Sequence, residues 1–159
     1  MDHYWCDCCD KPFKTLMLGE IEDPSKMRFA SMSTLSNALS IGVQSNLPMW
    51  ASFSPEEAKE WAFDCQYIEG VDWLNIAALA NDFWGDAENS SRAWSQEELT
   101  KHLRGLGGRL LNGKETELFV SIFSEPIELQ ANGGFLNGRH RAHAMRISGV
   151  DKVPVLYVE

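Results

Sequence analysis

The pattern of apolar and polar positions along this 159-residue chain predicts helices in its middle third. Two segments there, Ser54–Glu57 and Ser95–Glu98, carry a capping box, in which a serine and a glutamate three residues later satisfy free amides of a helix's first turn. We expect the first helix to run to about Ile68 and to stop at Gly70, and the second to fail near Gly105.

A third helix is predicted between these two, with Asp72 as its N-cap and Gly85 at its end. Large and small apolar residues recur along it at helical spacing, namely Trp73, Ile76, Ala77, Ala80 and Trp84. The segment therefore predicts an amphipathic helix that buries one face.

The last third of the chain changes to a strand-rich pattern. Glu117–Ser124 is rich in apolar residues and fits either a strand or a short buried helix. The later elements are predicted as a strand Pro126–Gln130, a hairpin turn Asn132–Gly134, a return strand from Phe135, a helix Arg139–Ser148 that stops at Gly149, and a strand Val153–Val158. This order predicts an α+β fold with a small mixed sheet.

Length and charge suggest one domain over residues 1–159, with a cysteine-rich segment 1–15, an acidic tryptophan-rich helical insertion 54–105 and a core 117–159. The net charge of −9 is concentrated in residues 54–98, which hold eleven acids and two bases. Because phosphate contacts dominate nucleic-acid affinity, we expect no bulk nucleic-acid binding. Without a long apolar run or a secretion signal, we expect no membrane span and a cytoplasmic location.

The run from Pro126 to Glu159 resembles the ParB/sulfiredoxin superfamily. The resemblance is carried by Pro126-Ile127, Gly138-Arg139-His140-Arg141-Ala142, Gly149-Val150 and Val153-Pro154-Val155. It covers 34 of the 159 residues. It implies a strand that opens with Pro-Ile, a hairpin, a Gly-x-His-Arg turn into a helix, and a Val-Pro-Val strand.

The resemblance also implies phosphate chemistry. ParB proteins bind and hydrolyse CTP, and sulfiredoxins use ATP to repair an oxidised cysteine. It thus implies a nucleotide, CTP or ATP with Mg²⁺, at the Gly138–Arg141 turn, and NTP hydrolysis or phosphoryl transfer as the reaction. Arg139 stands where a sulfiredoxin has its cysteine, so we exclude sulfiredoxin activity. ParB proteins carry a glutamate at the Arg139 position and an arginine at the His143 position, and a partition protein is not expected.

The residues of the turn predict an anion site without the family. A helix N-terminus has free amides and a positive dipole end, and Gly138 lets the backbone approach a ligand closely. At helical spacing Arg139, His143 and Arg146 form one basic stripe, whereas His140 and Arg141 align with apolar positions. A phosphate would provide hydrogen-bond acceptors for the His140 and Arg141 side chains. The alternative is that they bond a carboxylate, such as Glu125 or Glu128, or backbone carbonyls.

The N-terminal cysteines form a second candidate site. Cys6 and Cys9 have the spacing of a zinc knuckle, and His3 and Cys8 lie beside them. The alternative is a cluster of reduced thiols in a cytosolic protein.

The tryptophan-rich block supports a different function class. Its tryptophans recur at positions 50, 61, 73, 84 and 94 among many acids. Such a surface could bind a basic host protein, as in a non-enzymatic accessory protein of a phage or mobile element. The alternative is helical packing with the tryptophans inside.

If the cysteine cluster binds zinc, untagged protein should contain about one zinc per chain or per dimer. The double substitution Cys6→Ser and Cys9→Ser should remove it, because zinc requires thiolate ligands at this spacing. Elemental analysis after gentle purification measures both values. Metal-free wild-type protein would contradict the zinc hypothesis.

Overall fold

The computed structural model describes residues 5–6, 11–12, 26–40, 56, 70–92, 94–105, 113–130 and 135–158. The strands are β1 (Trp5–Cys6), β2 (Lys11–Pro12), β3 (Met27–Ser31), β4 (Glu128–Gln130), β5 (Phe135–Asn137) and β6 (Lys152–Val158). The α-helices are α1 (Met32–Ser40), α2 (Trp73–Gly85), α3 (Gln96–Gly105), α4 (Gly113–Ser124) and α5 (Arg139–Ser148), and a short 3₁₀ helix spans Asn89–Ser91. The predicted α+β class is confirmed.

The main sheet is mixed, with strand order β3-β6-β4-β5. The central strand β6 is antiparallel to β3 and parallel to β4, and β4 pairs with β5 as an antiparallel hairpin. The predicted hairpin turn Asn132–Gly134 lies outside the described residues. Strands β1 and β2 form a separate antiparallel pair near the N-terminus.

A proline is accommodated in the central strand because of where its nitrogen points. The Leu156 amide donates to the Ile127 carbonyl on the β4 side, at 2.9 Å. Since strand amides alternate sides, the Pro154 nitrogen also faces that side. The pairing of β4 with β6 begins only at Glu128 and Leu156. Pro154 therefore lies before the paired stretch, where the ladder needs no donor from it.

Helix starts follow the capping residues that the sequence predicted. The Asp72 carboxylate accepts from the Asn75 amide at 3.1 Å, and the buried Glu115 carboxylate of α4 accepts from the Asp72 amide at 2.7 Å. Ser95 and Glu98 exchange both capping-box bonds at 3.1 Å. A bond from Arg92 to Glu98, followed by the bonds from Ser95, holds the pKa of the Glu98 carboxyl below its usual range.

One hydrophobic core joins the helices to the sheet. Helix α2 contributes Trp73, Ile76 and Phe83 to the same buried cluster that holds Val153 and Val155 of β6. Helix α2 packs on β6, α4 and α5, while α1 packs on β3 and α5. In the described part of the acidic middle segment, the acidic residues from Asp72 to Glu98 are exposed, while α2 packs its apolar face towards the sheet. The proposed division of the domain into segments stays a prediction.

Residues 117–124, for which the sequence allowed either a strand or a buried helix, are helical. Helix α4 begins at Gly113, and every residue from Leu118 to Ser124 is buried. The predicted helix from Ser54 to Ile68 lies outside the described residues apart from Glu56, which is helical; Gly70 has a φ of +68°. In the part of the chain described, no helix is long and apolar enough to cross a membrane.

Removal of the α2 cap tests this account of helix initiation. We expect Asp72→Ala to lower the free energy of unfolding by about 1 kcal/mol, because it leaves the Asn75 amide without its acceptor. Asp82→Ala, at an exposed position on the same helix, is the matched control and should change it by less than about 0.5 kcal/mol. Urea unfolding measures both, and equal losses would contradict the capping role.

Candidate anion-binding turn

The turn into α5 presents backbone donors that the helix itself does not use. Gly138 is the N-cap, in the left-handed region with φ +90° and ψ 16°. The Ala142 amide makes the first bond of the helix, to the Gly138 carbonyl at 3.0 Å. The amides of Arg139 and His140 therefore have no acceptor within the helix. The first turn contains no acidic residue that would compete with an anion.

Only glycine fits at position 138. A Cβ there would lie 2.8 Å from Ile127 Cγ1, 3.0 Å from Ile127 Cα and 3.1 Å from Arg141 Nη2. The positive φ disfavours any L side chain independently of this crowding. Backbone conformation and close packing thus impose the same residue on the turn.

Arg141 points into the protein and holds the end of α4. Its side chain is 4% exposed. Nη1 donates to the backbone carbonyl and the hydroxyl of Ser121, both at 3.1 Å, and Nη2 donates to the Glu125 carbonyl at 2.5 Å. Of the alternatives that the sequence left open for Arg141, the structure thus shows backbone carbonyls.

The position of α4 explains these bonds. Helix α4 ends at Ser124. The Ser121 carbonyl accepts from the Glu125 amide at 2.9 Å as well as from Arg141, and the Glu125 carbonyl lies just past the helix end, where the dipole is negative. A guanidinium is suited to this position because it offers several donors in one plane. For Arg141 the structure therefore shows the alternative to a phosphate contact, since its guanidinium bonds backbone carbonyls at the end of α4.

The basic stripe predicted on α5 does not form a surface. His143 is 1% exposed, and all residues from Arg141 to Met145 are buried; α1 and α2 pack against this helix. Arg146 is partly buried, and desolvation lowers the pKa of its guanidinium. A phosphate-binding role for His143 is thus not supported, since a ligand in solvent does not reach it.

Gly138, which is partly buried, and the backbone amides of Arg139 and His140 remain as the predicted site. The backbone places Arg139 and His140 in the first turn of α5. Sequence reasoning missed Ser121, whose hydroxyl lies against Arg141. The sequence indicates Ser121 only as a serine within an apolar segment, and such serines are common in buried helices that have no functional role.

The zinc hypothesis stays a prediction. Among the described residues no group of three or more histidine, cysteine or acidic side chains is arranged to hold a metal. Of the proposed ligands, Cys6 has a described backbone, in β1, while His3, Cys8 and Cys9 lie outside the described residues. The antiparallel pairing of Cys6 with Lys11 brackets the segment that contains Cys8 and Cys9.

The described tryptophans of the acidic block lie inside the protein. Trp73 is fully buried and Trp84 is 8% exposed. Trp94 is partly buried and packs edge-on against Phe83 with ring centroids 5.0 Å apart. Helical packing therefore accounts for these three. Trp50 and Trp61 lie outside the described residues, so binding of a basic partner to this block stays a prediction.

No protein-family model, curated protein or solved structure matches this chain. The likeness to the ParB/sulfiredoxin superfamily therefore rests on the residues of the last 34 positions alone.

Alanine substitutions at Gly149 and Gly138 distinguish the cost of a left-handed backbone from the cost of steric crowding. Gly149 ends α5 with φ +85°, and a Cβ at this position would meet open space, whereas Gly138 has φ +90° and is crowded. We expect Gly149→Ala to cost about 1–2 kcal/mol of unfolding free energy, from the left-handed backbone alone. Gly138→Ala should cost a further ~1–3 kcal/mol from overpacking.

Urea unfolding of the two variants measures the difference. Equal losses would show that Ile127 and Arg141 do not press on the turn, and would contradict the packing described for Gly138.

Proposed function

We propose that this protein binds a phosphate-bearing ligand, a nucleotide such as CTP or ATP with Mg²⁺, at the N-terminus of α5. One observation carries the proposal: the turn at Gly138 leaves the amides of Arg139 and His140 without helical acceptors, in a first turn that has no acidic residue. Such a turn combines hydrogen-bond donors with the positive end of a helix dipole.

The charge of the turn adds to these donors. Arg139 and His140 are the first two residues of α5, and both side-chain types bond phosphate oxygens well. The protein as a whole carries −9, so its long-range field repels an anion. Affinity must therefore come from short-range contacts at the turn itself.

The order of elements also supports the proposal. Strand β4, strand β5, helix α5 and strand β6 follow one another as the resemblance to the ParB/sulfiredoxin superfamily implies, with Gly138 at the start of the helix. NTP hydrolysis or phosphoryl transfer is the activity that binding here would serve, since that chemistry depends mainly on positioning and charge stabilisation.

Isothermal titration with pyrophosphate, ATP and CTP, each with and without Mg²⁺, tests the proposal. We expect Arg139→Ala to weaken binding of the tightest of these ligands roughly ten- to a hundredfold, the loss of one charge-assisted bond. The matched control is Arg104→Ala, which removes an exposed arginine from the last turn of α3 and should leave affinity unchanged within about twofold.

Binding that survives Arg139→Ala, or that falls equally in both variants, would contradict the site. Wild-type protein that binds none of these ligands would contradict the function. Release of inorganic phosphate from ATP or CTP then measures whether the bound nucleotide is hydrolysed.

A further inference from the structure

A buried polar contact connects the end of α4 to the turn at Gly138. Ser121 is fully buried, and its hydroxyl donates to the Leu118 carbonyl at 2.6 Å. The same oxygen accepts from Arg141 Nη1 at 3.1 Å. Because the hydroxyl proton is directed to Leu118, a lone pair of the oxygen is left for the guanidinium.

This contact fixes the direction of the Arg141 side chain. Arg141 is the third residue of α5, and its guanidinium is held at Nη1 by Ser121 and at Nη2 by the Glu125 carbonyl. Rotation or sliding of the helix start would break these bonds inside the core, where an unmet polar group costs the full desolvation penalty.

The same guanidinium lies beneath the turn. Arg141 Nη2 would be 3.1 Å from a Cβ on Gly138, and Ile127 closes the other side. The backbone of the turn is therefore held between a side chain of its own helix, anchored on α4, and the residue that precedes β4.

We propose that Ser121 and Arg141 are positioning residues for the anion site: Ser121 orients the Arg141 guanidinium, and this guanidinium fixes the backbone amides of the Gly138 turn in a ligand-ready geometry. The inference rests on the phosphate-binding function proposed above. It assigns no ligand contact to the Ser121 or Arg141 side chains, and it makes the end of α4 a determinant of affinity.

Two serines of α4 provide a matched test. Ser121→Ala removes the hydroxyl that meets Arg141. Ser124→Ala removes a second buried hydroxyl of the same helix, which donates to the Val120 carbonyl at 3.0 Å. Both variants delete one oxygen and one intrahelical bond, and only Ser121→Ala also removes an acceptor of Arg141. If loss of the intrahelical bond alone mattered, the two variants would have equal effects. Arg141→Lys is the third variant, because lysine keeps the charge but loses the planar fork.

Each variant is assayed in two ways, at a temperature where unfolding titrations show it fully folded. The ¹⁵N–¹H shifts of the Gly138, Arg139 and His140 amides are recorded without ligand, and pyrophosphate affinity is measured calorimetrically. We expect Ser121→Ala to shift these amides and to weaken binding about two- to thirtyfold, the range of couplings carried through packed networks. Ser124→Ala should do neither, and Arg141→Lys should follow Ser121→Ala.

The outcomes separate the two proposals. Unmoved amides in Ser121→Ala, or wild-type affinity despite moved amides, would overturn the positioning role. If wild-type protein does not bind pyrophosphate, the proposed function fails for this ligand. The amide chemical shifts recorded without ligand then still show whether Ser121 and Arg141 fix the conformation of the turn. Equal amide shifts at the Gly138 turn in Ser121→Ala and Ser124→Ala would also refute the positioning role of Ser121 and Arg141.

Discussion

The architecture around the candidate site depends on a buried guanidinium that must find acceptors. Arg141 meets this requirement with the carbonyls at the end of α4 and the hydroxyl of Ser121. In doing so it joins two helix ends of opposite polarity: the carbonyl end of α4 receives a cation, and that cation belongs to the first turn of α5, where the helix dipole is positive. The turn at Gly138 lies between them, packed on Ile127.

The rest of the fold holds α5 in this position. Its C-terminus closes with two bonds, from the Gly149 amide to the Arg146 carbonyl and from the Val150 amide to the Met145 carbonyl. These bonds form a Schellman motif, which fixes the path into β6. Between the two ends of α5, residues Arg141 to Met145 are buried.

Local sequence signals predicted much of this fold. The caps at Asp72 and Ser95 and the stop at Gly149 depend on residues three or fewer positions apart, and these predictions are confirmed. The partners of Arg141 lie 16 and 20 residues away in the chain. The sequence therefore did not decide whether Arg141 bonds a ligand, a carboxylate or backbone carbonyls. The burial of His143 depends on helices packed from elsewhere in the chain, which periodicity within α5 does not report. Similarly, α4 is buried on all sides from Leu118 to Ser124. Because it has no exposed polar face there, the spacing of apolar residues did not distinguish a helix from a strand.

If the turn at Gly138 binds phosphate as proposed, its donors are the backbone amides at the start of α5. Titration of ¹⁵N-labelled wild-type protein with pyrophosphate tests it most directly, because each backbone amide reports on its own hydrogen bond. We expect the largest saturable shifts at the amides of Arg139 and His140, with downfield proton shifts as each gains a charged acceptor. Saturable binding whose largest shifts lie elsewhere, with these two amides unchanged, would contradict it.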